Sequence, residues 1–114
     1  MDKRFMALGT SMLVLKLLEN QSMYGYQIIK ELDQQSQQVF SLQEGTLYPV
    51  LHSLEQQGAV TSVQKLADNG RQRKYYQITA QGRGLLREKT AQWDTYQAAV
   101  NRVMGGVQFA CETI

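Results

Sequence analysis

From Phe5 to Leu18 almost every position is apolar, with Lys16 as the one charged interruption. A run apolar on all faces predicts a helix covered on several sides, ending at Asn20-Gln21-Ser22. The pattern then takes a helical period. Ile28, Ile29 and Leu32 recur at core spacing in a second helix over about 24–37. Polar glutamines lead into a short connection in which Val39, Phe40 and Leu42 are expected to plug the core. A third helix carries Leu47, Val50, Leu51 and Leu54 within about a third of its circumference. Ser41 and Glu44 have the spacing of a capping box at its start, and Gly58 stands where a C-terminal glycine ends it. Alternation follows. Val60 and Val63 mark a strand over 59–66. In a second strand over 73–78, Tyr76 and Ile78 face one way and Tyr75 and Gln77 the other. Asp68-Asn69-Gly70 between the strands is a hairpin turn, because Asn and Gly tolerate positive φ. Thr79 then caps a last long helix over about 80–104, stopped by Gly105-Gly106, and 107–114 is expected to be a loosely held tail.

Three helices, a hairpin and a long helix make a mainly α fold with a small β-hairpin. It reads as a winged helix-turn-helix over 1–78, a C-terminal dimerisation helix over 79–106 and the tail over 107–114. Leu86, Trp93, Tyr96, Val100 and Val103 recur on the last helix at close to heptad spacing, with Lys89 at the missing seam position. That is an expected homodimer seam.

The third helix, QEGTLYPVLHSLEQQG over 43–58, has unusual chemistry. Its core face forces Gly45, Pro49, His52 and Gln56 outward, with Tyr48 beside them. Gly45 leaves room for a close approach, and Pro49 presses on the carbonyl four residues back, so a kink or loosened first turn is expected. Free N–H groups near Glu44, Gly45 and Thr46 suit a phosphate. Tyr48 adds a hydroxyl, and His52 and Gln56 reach as far as base edges. The plain alternative is a solvated polar face. Glu44 and Glu55 project on its flank, and no Lys or Arg lies along it.

Positive charge lies elsewhere. The net charge of +2 hides a basic hairpin in which Lys65, Arg71, Arg73 and Lys74 face only Asp68. Such a segment is either a polyanion footprint, giving salt-dependent binding, or a solvated loop. Lys3 and Arg4 before an apolar run imitate a signal peptide. Lys16, the absence of a small-residue cleavage site and the shortness of the run instead predict a buried helix and no membrane partner. The single cysteine, Cys111, excludes an intramolecular disulfide and fits a reducing, cytoplasmic setting. One Cys and one His make a zinc site unexpected. No Gly-rich phosphate loop or paired-acid motif appears, and His52 and Cys111 are the only reactive pair. Neither an enzyme nor a cofactor is expected.

Gly25-Tyr26-Gln27-Ile28, Glu44-Gly45-Thr46-Leu47-Tyr48-Pro49, Leu54-Glu55-Gln56-Gln57-Gly58, Gly70-Arg71-Gln72-Arg73-Lys74-Tyr75-Tyr76 and Thr79-Ala80-Gln81-Gly82 together resemble the PadR family of bacterial transcriptional regulators over residues 5–104. The single long last helix resembles its short subfamily. The resemblance implies a homodimeric winged-helix repressor of double-stranded DNA. It places Gly45, Thr46, Tyr48 and His52 in the major groove, Tyr26 at a phosphate or in packing, and Gly70, Arg71 and Arg73 on the adjacent backbone. Lys74 adjoins them. Two positions depart from the family: His52-Ser53 stands where Lys or Arg is frequent, and Gln72 where a wing proline is common. Some members bind planar or phenolic compounds between aromatic groups near the dimer centre. That makes Trp93 and Tyr96 candidate ligand residues for a small aromatic effector, against the reading of Trp93 as an ordinary interface aromatic. The competing function class is a winged helix used only for protein–protein interaction, to which the two acids of the third helix point.

Overall fold

The computed structural model describes the backbone of residues 3–113 and the side chains of residues 9–105. The chain runs α1 (Lys3–Leu17), β1 (Met23–Tyr24), α2 (Gly25–Gln35), α3 (Glu44–Gln56), β2 (Val60–Leu66), β3 (Gln72–Ile78) and α4 (Ala80–Thr113). This is the mainly α winged helix that the sequence predicts. The core gathers Val14, Leu15 and Leu18 of the α1 end, Ile28 and Leu32 of α2, Leu47, Leu51 and Leu54 of α3, and Val60 and Tyr76 of the sheet. The apolar stripe of α3 therefore faces inward as its periodicity requires. Gly45, Thr46, Tyr48, Pro49, His52 and Gln56 are left exposed.

The wing is a three-stranded antiparallel sheet of order β1-β3-β2, in which Met23 pairs with Tyr76 and Tyr24 with Tyr75. The sequence reading assigned Tyr24 to α2 and missed β1, because two residues are too short to show alternation. Ser62 sits opposite Tyr76 and Gln64 opposite Lys74, so these four share the face turned to α3. The turn forms as expected. Gly70 has φ +83°, the Arg71 N–H donates to the Asn69 side chain at 3.0 Å, and Ala67 N–H donates to the Arg71 carbonyl at 2.7 Å.

At its C-terminus α3 closes in a Schellman motif: Gly58 has φ +75°, its N–H donates to the Glu55 carbonyl, and Ala59 N–H reaches back to Leu54. Thr79 bolts this end to the root of α4. Its hydroxyl donates to the Gly58 carbonyl at 2.6 Å, with the Ala59 carbonyl 3.0 Å away, and accepts from the Gly82 N–H at 2.9 Å. Gln81 adds a bond from its amide to the Gln57 carbonyl at 2.8 Å. A Cβ on Gly82 would run into the Ala59 carbonyl and the Ile78 side chain, so the helix start closes on the strand only with glycine there.

Several expectations are corrected. Gln43, not Ser41, precedes the first turn of α3, and no side chain caps it. The Ser41 hydroxyl instead donates to the Asp33 carboxylate, tying the connection to α2. In that connection Gln37 and Gln38 take positive φ and turn the chain outward. Val39 and Phe40 are consequently exposed, and only Leu42 packs on the core. Pro49 lies inside α3, which spans Glu44 to Gln56. At the other end, α4 runs through Gly105 and Gly106 to Thr113. Two glycines weaken a helix without terminating it when no proline or competing cap follows. The expectations for the looseness of 107–114 and for Cys111 fall outside the residues whose side chains are described.

Leu86 is buried in the chain's own core, in the same cluster as Val14 and Tyr76. Further along, Tyr96, Val100, Val103 and Met104 are exposed and Trp93 is half-buried, so the heptad-spaced stripe reaches the surface only beyond Leu86. No helix among the described residues is long and apolar enough to cross a membrane.

Candidate nucleic-acid interface

The outward face of α3 begins at an uncapped end. Thr46 and Leu47 N–H both donate to the Gln43 carbonyl, while the N–H groups of Glu44 and Gly45 lie ahead of the helical ladder. Pro49 has no N–H to offer the Gly45 carbonyl. The first turn thus presents both polarities of backbone on its exposed side. At Gly45 an added Cβ would meet nothing within 4 Å, so no contact within the chain calls for a glycine.

Tyr48 does not simply point outward. Its ring lies across the start of α2, where a Cβ on Gly25 would collide with its hydroxyl and ring. Burial pushes the Tyr48 phenol above the usual tyrosine range, helped by the Glu44 carboxylate and by Tyr76. Tyr48 forms one wall of an open cleft of about 350 Å³, lined also by Tyr24, Gly25, Tyr26, Arg73, Lys74 and Tyr76. Three elements meet there: the start of α2, the middle of α3 and the wing.

The cations of the wing stand on tyrosine rings. Arg73 lies 4.2 Å over Tyr24, Lys65 lies 5.4 Å over Tyr75, and Lys74 lies 5.4 Å over Tyr76. Tyr24 and Tyr75 meet edge to face at 5.4 Å, which fixes the ring that supports Arg73. A cation over an aromatic face keeps its charge and gives up part of its rotamer freedom before any ligand arrives. A cleft with hydroxyls, two such cations and the start of a helix is chemically suited to phosphate oxygens.

The structure brings Tyr26, Tyr48, Arg73 and Lys74 to this one cleft. Gly45, Thr46 and His52 extend it along the exposed face of α3, and Gly70 and Arg71 sit at the hairpin tip. Tyr24, Gly25 and Tyr76 belong to the cleft and were missed as site residues. Gly25 and Tyr76 lie in the Gly25-Tyr26 and Tyr75-Tyr76 blocks, whereas Tyr24 carried no signal of its own, and only the β1–β3 pairing joins the three. Trp93 and Tyr96 stack at 6.0 Å and 27° on α4, remote in sequence from this cleft. Among the described residues no His, Cys, Asp and Glu side chains gather in a metal-binding group.

Residues 14–88 match the model of the transcriptional regulator PadR-like family. The chain is 33% identical over 86 residues to the transcriptional regulator Rv3488 of Mycobacterium tuberculosis, covering 75% of this chain and 77% of that protein. A solved PadR family transcriptional regulator from Eggerthella lenta is 35% identical, with a TM-score of 0.71 over 88% of this chain and 82% of that one. A transcriptional regulator from Clostridium thermocellum, 25% identical, has a TM-score of 0.80 over 88% and 97%.

Proposed function

The chain belongs to the PadR-like family of transcriptional regulators, and from that premise we propose that it is a homodimeric repressor that binds double-stranded DNA. The observation that carries this reading is the continuity of one surface. The exposed face of α3 runs into a tyrosine cleft whose far wall is the basic edge of the wing. The spacing suits a helix in the major groove, with Gly45, Thr46, Tyr48 and His52 toward the bases, while Tyr26, Arg73 and Lys74 take backbone phosphates. Gly70 and Arg71, at the tip, follow the backbone outward. Two copies paired through Trp93, Tyr96, Val100 and Val103 present two such surfaces to a pseudo-palindrome whose half-sites lie about one helical turn apart.

The stacked pair Trp93 and Tyr96 supports a regulatory extension of this reading, in which a small aromatic effector seats against these rings and loosens the dimer from its operator. Fluorescence anisotropy with a duplex from the gene's own upstream region tests the core of the proposal. Binding that weakens steeply with salt and exceeds binding to a scrambled duplex of equal length is the expected result. Equal, weak binding to both duplexes would turn the reading toward an interaction module.

A further inference from the structure

Glu55 is an acid on the helix assigned to the groove, and it is not idle. One carboxylate oxygen accepts from the Ser62 hydroxyl of β2 at 2.8 Å. The other lies 3.8 Å from the Lys74 ammonium of β3. Both wing strands are thus fastened to the last turn of α3 through a single side chain. Lys74 is simultaneously held over the Tyr76 ring, opposite Gln64 and next to the Ser62–Tyr76 pair on the inner face of the sheet. Lys74 also lines the tyrosine cleft, so the cation that Glu55 restrains is one that faces the proposed phosphate position.

We propose that Glu55 is a positioning residue that sets DNA specificity, an inference that rests on the DNA-binding reading above. It holds the wing in register with α3, so that phosphate capture and base contact occur together. It also competes for Lys74, so that an arbitrary duplex, which cannot seat α3, has to win the ammonium from a carboxylate. A duplex seated on α3 meets Lys74 where Glu55 holds it, so the three-donor ammonium bridges carboxylate and phosphate and the ion pair is kept; a wrong duplex has to break that pair to reach the cation. The acid on α3 therefore suppresses non-specific binding more than specific binding.

The test uses the full chain, a duplex selected by the wild type from a random-sequence pool, and a scrambled duplex of the same length. Glu55→Gln retains an acceptor for Ser62 and removes the charge that restrains Lys74. The expected result is that the ratio of selected to scrambled affinity falls by roughly fivefold, the upper range for one partly exposed ion pair. The salt slope on the scrambled duplex should steepen by about one as Lys74 becomes available to phosphate. A merely structural role for Glu55 would leave that slope unchanged. In a Lys74→Gln background the same Glu55→Gln change should move neither quantity, and that comparison stays decisive even if the single variant is poorly folded. An unchanged ratio and slope in Glu55→Gln, or the same shift persisting without Lys74, overturns the proposal while leaving DNA binding intact. A wild type that selects no duplex overturns the DNA-binding reading and this proposal together.

Discussion

Gly45 is where a single residue separates folding from function most cleanly. A helix glycine with open space at its Cβ position destabilises α3 by roughly 1 kcal/mol relative to alanine. Gly45→Ala is therefore expected to raise the unfolding free energy by about that amount in urea titrations. The same methyl should lower affinity for a selected duplex about tenfold, the loss of one close contact. A stabilised protein that binds unchanged would remove Gly45 from the interface. Tyr48 gives a second residue-level expectation. Its folded pKa is raised, so the stability tied to its protonated form is complete below the ordinary tyrosine pKa and is lost as pH rises through the folded value. Tyr48→Phe should flatten that alkaline decline, followed by thermal melts across the alkaline range. At this scale the sequence was legible wherever a residue's role depends on helical phase: Gly45, Thr46 and His52 are outward because Leu47, Leu51 and Leu54 must be inward. It was silent on Tyr24 and Glu55. Their roles depend on what lies across a strand pairing or a helix-to-wing gap, and no local pattern encodes that.

The wing and its two anchors act as units larger than their side chains. Arg71 and Arg73 adjoin the hairpin turn, and Arg73 is presented by the Tyr24 ring. Replacing both by alanine should reduce the salt slope of DNA binding by about two, because each cation releases roughly one counterion on meeting a phosphate. Unchanged salt dependence would assign the basic hairpin to solvent. Gly82→Ala tests the other anchor. A methyl there meets the Ala59 carbonyl, and the expected cost is about 1–3 kcal/mol, read from denaturation midpoints at constant slope. Turn chemistry made most of these boundaries readable, as at Gly58, Asn69-Gly70 and Thr79. The failures differ in cause. Ser41-to-Glu44 had capping-box spacing, but Asp33 of α2 took the serine hydroxyl, a tertiary competitor invisible along the chain. Gly105-Gly106 looked like a stop, yet α4 continues through it.

Over the whole molecule, α4 leaves the core after Leu86 and carries the chain to a long axis of 67 Å against 28 and 24 Å across. An arm bearing Tyr96, Val100, Val103 and Met104 on its surface exposes apolar area that a second copy would bury. Val100→Asp with Val103→Asp is expected to convert a dimer to a monomer in sedimentation velocity, and to reduce operator affinity far more than affinity for an isolated half-site. A variant that sediments like the wild type would move the pairing surface elsewhere. The heptad-like spacing marked out a stripe that is exposed along the arm, except at Leu86, which lies in the chain's own core where α4 packs on α1. The bolt at Thr79 and Gln81 joins the C-terminal end of α3 to the root of this arm by three hydrogen bonds, from the Gln81 amide, the Thr79 hydroxyl and the Thr79 N–H to the successive carbonyls of Gln57, Gly58 and Ala59. Mechanically it is a fulcrum. A 13-residue helix is about 20 Å long, so a tilt of about 10° at that pivot displaces its far tip, at Glu44 and Gly45, by roughly 3 Å, the length of a hydrogen bond. In the proposed dimer, a small change in how two arms cross would thereby be geared up into the difference between touching a base and missing it.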